Sequence, residues 1–280
     1  EIVQDRSQVS ENILTPEDVT VQEVDGKAIV AIEVPRAKRT SKPVFVGGDP
    51  FTGSYRRNGE GDYHCTAEEV RSMLRDRASG AWDRQVVGAL SPAALDGGSV
   101  ARYRALLPPS ARFPGETEAF LTELNALARD GVDGKLHPTA AGLLMFGRTE
   151  DITRRFPGYR LDYEEYLGGE GTLSFRLCSD DGTWSGNLLD FYLQVCARML
   201  HAVDKHPKEE GDVHQALKEA VANALIHANY EGGQGIVITR RPEEIVISNP
   251  GCLRISPDEA VQGGRADPRN AVLTQLFHLI

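Results

Sequence analysis

Three side chains near the end of the sequence, Glu219, Asn223 and His227, have types and spacing suited to chemistry on a magnesium-bound nucleotide. They follow one another at i, i+4 and i+8, and at about 100° per residue such a series stacks along one face of a helix. A carboxylate one turn from a carboxamide can orient or deprotonate water. The amide oxygen is a hard, neutral ligand for Mg²⁺. The same stripe also suits the solvated face of an amphipathic helix, and the spacing leaves both readings open.

The elements that must position these groups are legible around them. A helix is expected over Asp212 to Ala228, because Leu217, Ala220, Val221, Ala224 and Leu225 form one continuous apolar stripe. Burying it contributes roughly 1.5–3 kcal/mol for each large side chain. Asn187 to Val203 reads as a second long apolar helix. Arg160 to Leu167, Leu173 to Cys178, Gly235 to Thr239 and Glu244 to Ser248 read as strands. Two strands, two helices and two strands suit a two-layer sandwich with helices over one sheet face. Glu231-Gly-Gly-Gln-Gly235 follows a helix and precedes a strand, the reverse of a phosphate-cradling order, so it reads as a helix stop. Asn249-Pro250-Gly251 has the residues of a tight turn. At the end of the catalytic-type helix, His227 is expected to act as a cation on the helix dipole.

Upstream, Val19 to Val24 and Ala28 to Val34 read as two strands joined at Asp25-Gly26, a hairpin signal. Lys42 to Val46 and Ser54 to Arg57 read as two further short strands. Thr66 and Glu69 have capping-box spacing and open a helix to about Arg77. Between Arg36 and Arg57 stand six basic residues, Arg36, Lys38, Arg39, Lys42, Arg56 and Arg57, and one acidic residue, Asp49. The rest of the chain carries 25 basic and 40 acidic residues. That asymmetry is the footprint of a local phosphate-contacting patch, provided the two short strands bring all six cations to one surface. A flexible, solvated loop is the alternative. The middle of the chain, Ser91 to Gly147, reads as helical, with one helix over Gly115 to Arg129 and another over Ala140 to Phe146, and nothing catalytic is apparent in it.

Bulk properties narrow the classes. A chain of 280 residues with 40% hydrophobic and 26% charged residues suits a globular protein of two or three domains. No stretch approaches the roughly 18 apolar residues of a membrane span, and the opening residues lack a secretion signal, so a cytoplasmic protein is expected. The net charge of −10 argues against non-specific polyanion binding by the chain as a whole. Cys65, Cys178, Cys196 and Cys252 lack paired spacing, which argues against a zinc site or a disulfide scaffold.

Several strings go further. Glu219-Ala-Val-Ala-Asn223-Ala-Leu-Ile-His227-Ala-Asn-Tyr230, then Ile247-Ser-Asn249-Pro-Gly251-Cys-Leu253 and Pro268-Arg269-Asn270, resemble the RecG-like transcriptional regulators of bacteria. Their C-terminal domain is similar to the GHKL, or histidine-kinase-like, ATPase fold. Gly186-Asn-Leu-Leu189 resembles the opening of that domain's first long helix. Val30-Ala-Ile-Glu-Val-Pro35 and Ser54-Tyr-Arg-Arg-Asn-Gly59 resemble the second half of a Schlafen/AlbA-type domain. Leu136-His-Pro-Thr-Ala-Ala-Gly-Leu-Leu-Met-Phe-Gly147 is similar to the family's connector.

The resemblance implies an α+β fold in three parts: a Schlafen/AlbA-type nucleic-acid-binding portion over 1–80, a helical connector over 81–158 and a GHKL-like domain over 159–280. It implies ATP and Mg²⁺ as cofactors, with Glu219 as general base and Asn223 on the metal, and with His227, Asn249 and Gly251 completing the nucleotide site. The family's adenine-binding Asp is replaced by Asn249, an uncharged and weaker acceptor. The glycine-rich lid would fall beyond Ile280, so hydrolysis by these 280 residues is not expected. DNA is the implied partner of the basic patch, with a homodimer as a further expectation. The other implied functions are a Mg-dependent ATPase and a non-catalytic dimerisation module.

Overall fold

The computed structural model describes residues 8–59, 61–77, 81–109, 115–168, 171–203, 210–255, 257–262 and 267–280. The protein is α+β, and the chain divides into two compact units, Glu1–Gly80 and Ala81–Ile280.

The first unit is built from hairpins and short helices. Strands β1 (Val19–Val24) and β2 (Lys27–Ile32) pair antiparallel from Val19↔Ile32 to Val24↔Lys27. Asp25 and Gly26 both have positive φ, the conformation that two-residue hairpins with the strands' natural twist require. A short helix, α1 (Pro50–Gly53), is capped by the Asp49 side chain. It is followed by the hairpin of β3 (Tyr55–Asn58) and β4 (Gly61–His64), then by α2 (Ala67–Arg77). The capping box opening α2 is reciprocal: Thr66 N donates to Glu69 Oε2 at 2.7 Å, and Glu69 N to Thr66 Oγ1 at 3.2 Å. Two expectations change here. Lys42 to Val46 makes only isolated bridges, Val46 to Val9 and Phe45 to Ser54, and β3 pairs with β4, which the sequence reading left out.

In the second unit, α3 (Gly97–Leu106) and α4 (Thr117–Glu123) precede the hairpin of β5 (Leu127–Arg129) and β6 (Leu136–Pro138); α5 (Ala140–Phe146) and α6 (Thr149–Arg155) follow. The single helix expected over Gly115 to Arg129 is therefore broken. Asn125 at φ 56 closes α4, with Ala126 N bonded to Leu121 O and Asn125 N to Thr122 O. This is a Schellman cap with Asn in place of the usual glycine. Leu124 and Leu127 keep the helical spacing yet are buried from a cap and a strand.

The second unit's main sheet has the order β10-β9-β7-β8, from β7 (Leu161–Glu165), β8 (Phe175–Cys178), β9 (Ile236–Arg240) and β10 (Ile245–Ser248). β7 and β9 run parallel, with Leu161 beside Ile236 and Tyr163 beside Ile238, all four fully or almost fully buried. Between β8 and β9 the chain forms α7 (Leu188–Val203) and α8 (Glu210–His227), the two expected long helices. Leu188, Leu189, Phe191, Val195 and Met199 of α7 and Val221, Ala224 and Leu225 of α8 are buried. The chain closes with α9 (Pro257–Gln262) and α10 (Ala271–His278). One continuous apolar core runs from Val87 to Phe277, so stretches 81–158 and 159–280 pack together instead of forming separate cores.

Candidate functional site

The polar ridge of α8 opens onto a cavity of about 780 Å³. Glu219, Asn223 and His227 line one wall. The opposite wall is the chain leaving β10, with Asn249, Gly251, Cys252 and Arg254; Asp267, Arg269 and His278 complete it. All five residues selected for a nucleotide site thus reach one space, although Asn249 is 30 residues from Glu219. The side chains of Glu219, Asn223 and Asn249 form no hydrogen bond or ion pair among the described residues. Folded polar groups normally find partners within the protein or in water, and Glu219 and Asn223 are exposed residues. Two hard oxygen donors one turn apart fit a Mg²⁺ ion that keeps most of its waters. A second cavity, of about 560 Å³ between α7, α8 and α10, meets the first at Glu219, Asn223 and His278.

The two walls are fastened by residues the sequence reading did not place in the site. Arg269, 7% exposed, donates to the His227 carbonyl at 3.3 Å and to the Cys252 carbonyl at 3.1 Å. Asn270 Nδ2 donates to the carbonyls of Ile226 at 2.7 Å and Ala228 at 2.9 Å. Together they satisfy carbonyls that the end of α8 leaves without helical partners. Asn229 N donates to Pro250 O at 2.8 Å, docking the turn against the end of α8. Gly251 has φ +119, a backbone conformation that favours glycine, and a Cβ there would lie tightly, 3.1 Å, from Arg269 Nη2.

This arrangement changes the role of His227. Burial, followed by the nearby charges of Arg269 and Arg254, holds its imidazole pKa below the ordinary value, against the opposing Asp267. A neutral ring is favoured, and the helix end is closed by Arg269 and Asn270 in place of the expected imidazolium. Pro268-Arg269-Asn270 was visible as a string, but its contacts to the end of α8 lie more than 40 residues away in sequence.

The six cations of the first unit do not form one face. Arg56 and Arg57 are successive residues of β3, so their side chains leave opposite sides of the hairpin. Arg56 pairs with Glu69 at 2.6 Å and Arg57 with Asp62 at 3.1 Å. Arg39, half-buried, donates to the Asp76 carbonyl, and Lys42 is half-buried. Arg36 and Lys38 are exposed on the chain after β2.

Among the described residues, one group of three metal-type ligands lies elsewhere, at Asp130, Asp133 and His137 in the β5–β6 hairpin. His137 Nδ1 lies 2.7 Å from the Leu90 carbonyl and Nε2 3.0 Å from Asp133. The Leu90 carbonyl and the Asp133 carboxylate both raise its pKa. An imidazolium donating from both nitrogens accounts for this group.

Residues 71–162 match the model of a family described as a domain of unknown function, DUF8451, which covers the connector and ends before the cavity. No curated protein matches the chain. Among solved structures, the fold is similar to the DIP2311 protein from Corynebacterium diphtheriae, at 19% identity and a TM-score of 0.54. The match covers 98% of this chain and 45% of that one, so the chain spans less than half of that protein's length. No helix among the described residues is long and apolar enough to cross a membrane. At this level of identity the likeness to DIP2311 is one of fold.

Proposed function

We propose that this protein is a nucleotide-responsive transcriptional regulator of the cytoplasm, in which a degenerate GHKL-like site in the second unit binds Mg-ATP and the first unit, resembling part of a Schlafen/AlbA-type domain, contacts DNA. The observation that carries the reading is the convergence of Glu219, Asn223, His227, Asn249 and Gly251 on one cavity. In this reading Asn223 and Glu219 hold the magnesium-bearing end of the nucleotide, and bound Mg²⁺ would neutralise phosphate charge. Glu219 orients water. The Asn249 carboxamide oxygen accepts from the adenine amino group, a weaker bond than a carboxylate would make.

Equilibrium dialysis with labelled ATP tests the nucleotide part. Saturable, Mg²⁺-dependent binding that Asn223→Ala weakens at least tenfold is expected, and the absence of Mg²⁺-dependent binding by the parent protein contradicts it. The DNA part rests on Arg36, Lys38, Arg39 and Lys42, which are close together along the chain. DNA affinity that falls with salt, and is lost when those four are changed to Ala, is expected. Affinity insensitive to the four changes removes the patch from the account. Slow hydrolysis abolished by Glu219→Gln would favour a Mg-dependent ATPase. A homodimer that binds neither ligand would favour a dimerisation module.

A further inference from the structure

We propose that Asn249 lets the cavity take purine nucleotides with either an amino or an oxo group at C6, so that the inosine nucleotide Mg-ITP binds about as well as Mg-ATP. This rests on the nucleotide reading of the same cavity, with the base at its Asn249 end.

The backbone of Asn249 is fixed from both sides. It directly follows β10, whose last residue, Ser248, pairs with Val237 of β9. Pro250 holds the residue before it to extended backbone, and the Pro250 carbonyl accepts Asn229 N–H at 2.8 Å. The side chain reaches the cavity without a hydrogen bond or ion pair to any described residue. The carboxamide is therefore held in place but not to one sense, and half a turn about its last torsion exchanges the oxygen and the NH₂. Ala220 and Ala224, one turn apart on α8, and Ile247 of β10 line the same cavity with small and apolar surface suited to the face of a ring. The cationic donors of this end are engaged: Arg254 with the Pro268 carbonyl and Asp267, Arg269 with the His227 and Cys252 carbonyls.

The two bases present opposite edges. Adenine offers an amino donor beside the N1 acceptor, whereas hypoxanthine offers an oxo acceptor beside an N1–H donor. A carboxamide pairs with either edge through two hydrogen bonds, one rotation for each base, as asparagine pairs with an edge of adenine in DNA. A carboxylate only accepts, so at the same place it suits the amino group and opposes the oxo group. Asn249 is legible in the sequence, but the freedom of its carboxamide appears only in the fold.

Equilibrium dialysis of the full chain with labelled Mg-ATP, Mg-ITP and Mg-tripolyphosphate, on the parent and on Asn249→Asp, tests the proposal. In the parent, dissociation constants for Mg-ATP and Mg-ITP within about threefold of each other are expected, with base-less tripolyphosphate at least about tenfold weaker. Asn249→Asp should open a gap of at least about tenfold in favour of Mg-ATP, because an oxo group then faces a carboxylate. A parent that separates Mg-ATP from Mg-ITP by more than the stated margin overturns the proposal and leaves the nucleotide reading standing. So does an Asn249→Asp variant that binds the two alike, or tripolyphosphate binding as tight as Mg-ATP, since no base is then held. Failure of the parent to bind either nucleotide overturns both.

Discussion

Trp82 donates its indole N–H to the Asn270 side-chain oxygen at 2.8 Å, across 188 residues of sequence. The other end of the same carboxamide caps α8 through the carbonyls of Ile226 and Ala228. One neutral side chain thus couples the start of the second unit to the helix that forms the cavity wall.

Asn270→Asp keeps the acceptor for Trp82 and replaces the donor with an oxygen facing two carbonyls. Loss of about 2 kcal/mol is expected, or roughly 4–8 °C in Tm for a unit of this size. Trp fluorescence during urea unfolding measures it. Unchanged stability would show that the cap does not hold α8 in place.

Asp83 caps the other helix at this junction. Its Oδ2 accepts the amides of Val272 at 2.7 Å and Leu273 at 3.1 Å, while Oδ1 is buried with no hydrogen-bond partner. Burial raises its carboxyl pKa despite the two amide bonds. A raised folded-state pKa gives a stability contribution that is full below the ordinary carboxylate range and is lost as pH rises through the raised value. Asp83→Asn keeps one acceptor and cannot ionise, so its stability relative to the parent should increase as pH rises from about 4 toward neutrality. Urea unfolding at several pH values measures the difference, and a constant difference would contradict the burial argument.

Glu165, a buried acid of the main sheet, behaves in the opposite sense. Glu165 is 2% exposed and accepts from Tyr163 at 2.7 Å, Arg198 at 2.9 Å and Arg240 at 3.0 Å. These partners hold its pKa below the ordinary value against the cost of burial. Glu165→Ala leaves Arg240 largely buried without its carboxylate and is expected to cost about 3 kcal/mol. The stability Glu165 provides is present above the ordinary carboxylate range and is lost as pH falls through its lowered value. Chemical denaturation near pH 7 and near pH 3 should show the mutational difference shrinking in acid.

How far the sequence could be read follows from the range of each interaction. The Asp25-Gly26 hairpin, the Thr66–Glu69 capping box and the apolar stripe of α8 are local, and each was legible. Leu127 fails that test, because burial on a helix and burial on a strand demand the same residue and only Asn125 in the left-handed region separates them. The ridge of α8 had two local readings, a solvated face or a cavity wall. What separates them is the Asn249–Gly251 turn, brought back by β9 and β10 and fastened by Arg269, a contact without local sequence signature. Arg56 and Arg57 mislead for the converse reason: adjacency in sequence suggests one patch, whereas strand geometry separates them.

The most direct test of the central claim is the thermal stability of the protein with and without Mg-ATP. A ligand of the folded state present at 100 times its dissociation constant stabilises by about 2.7 kcal/mol, so a rise of several degrees in Tm is expected, and Asn223→Ala should abolish most of it at the same concentration. A parent protein whose Tm does not move in millimolar Mg-ATP, or an Asn223→Ala variant that shifts as far as the parent, would contradict the assignment of this cavity to a nucleotide.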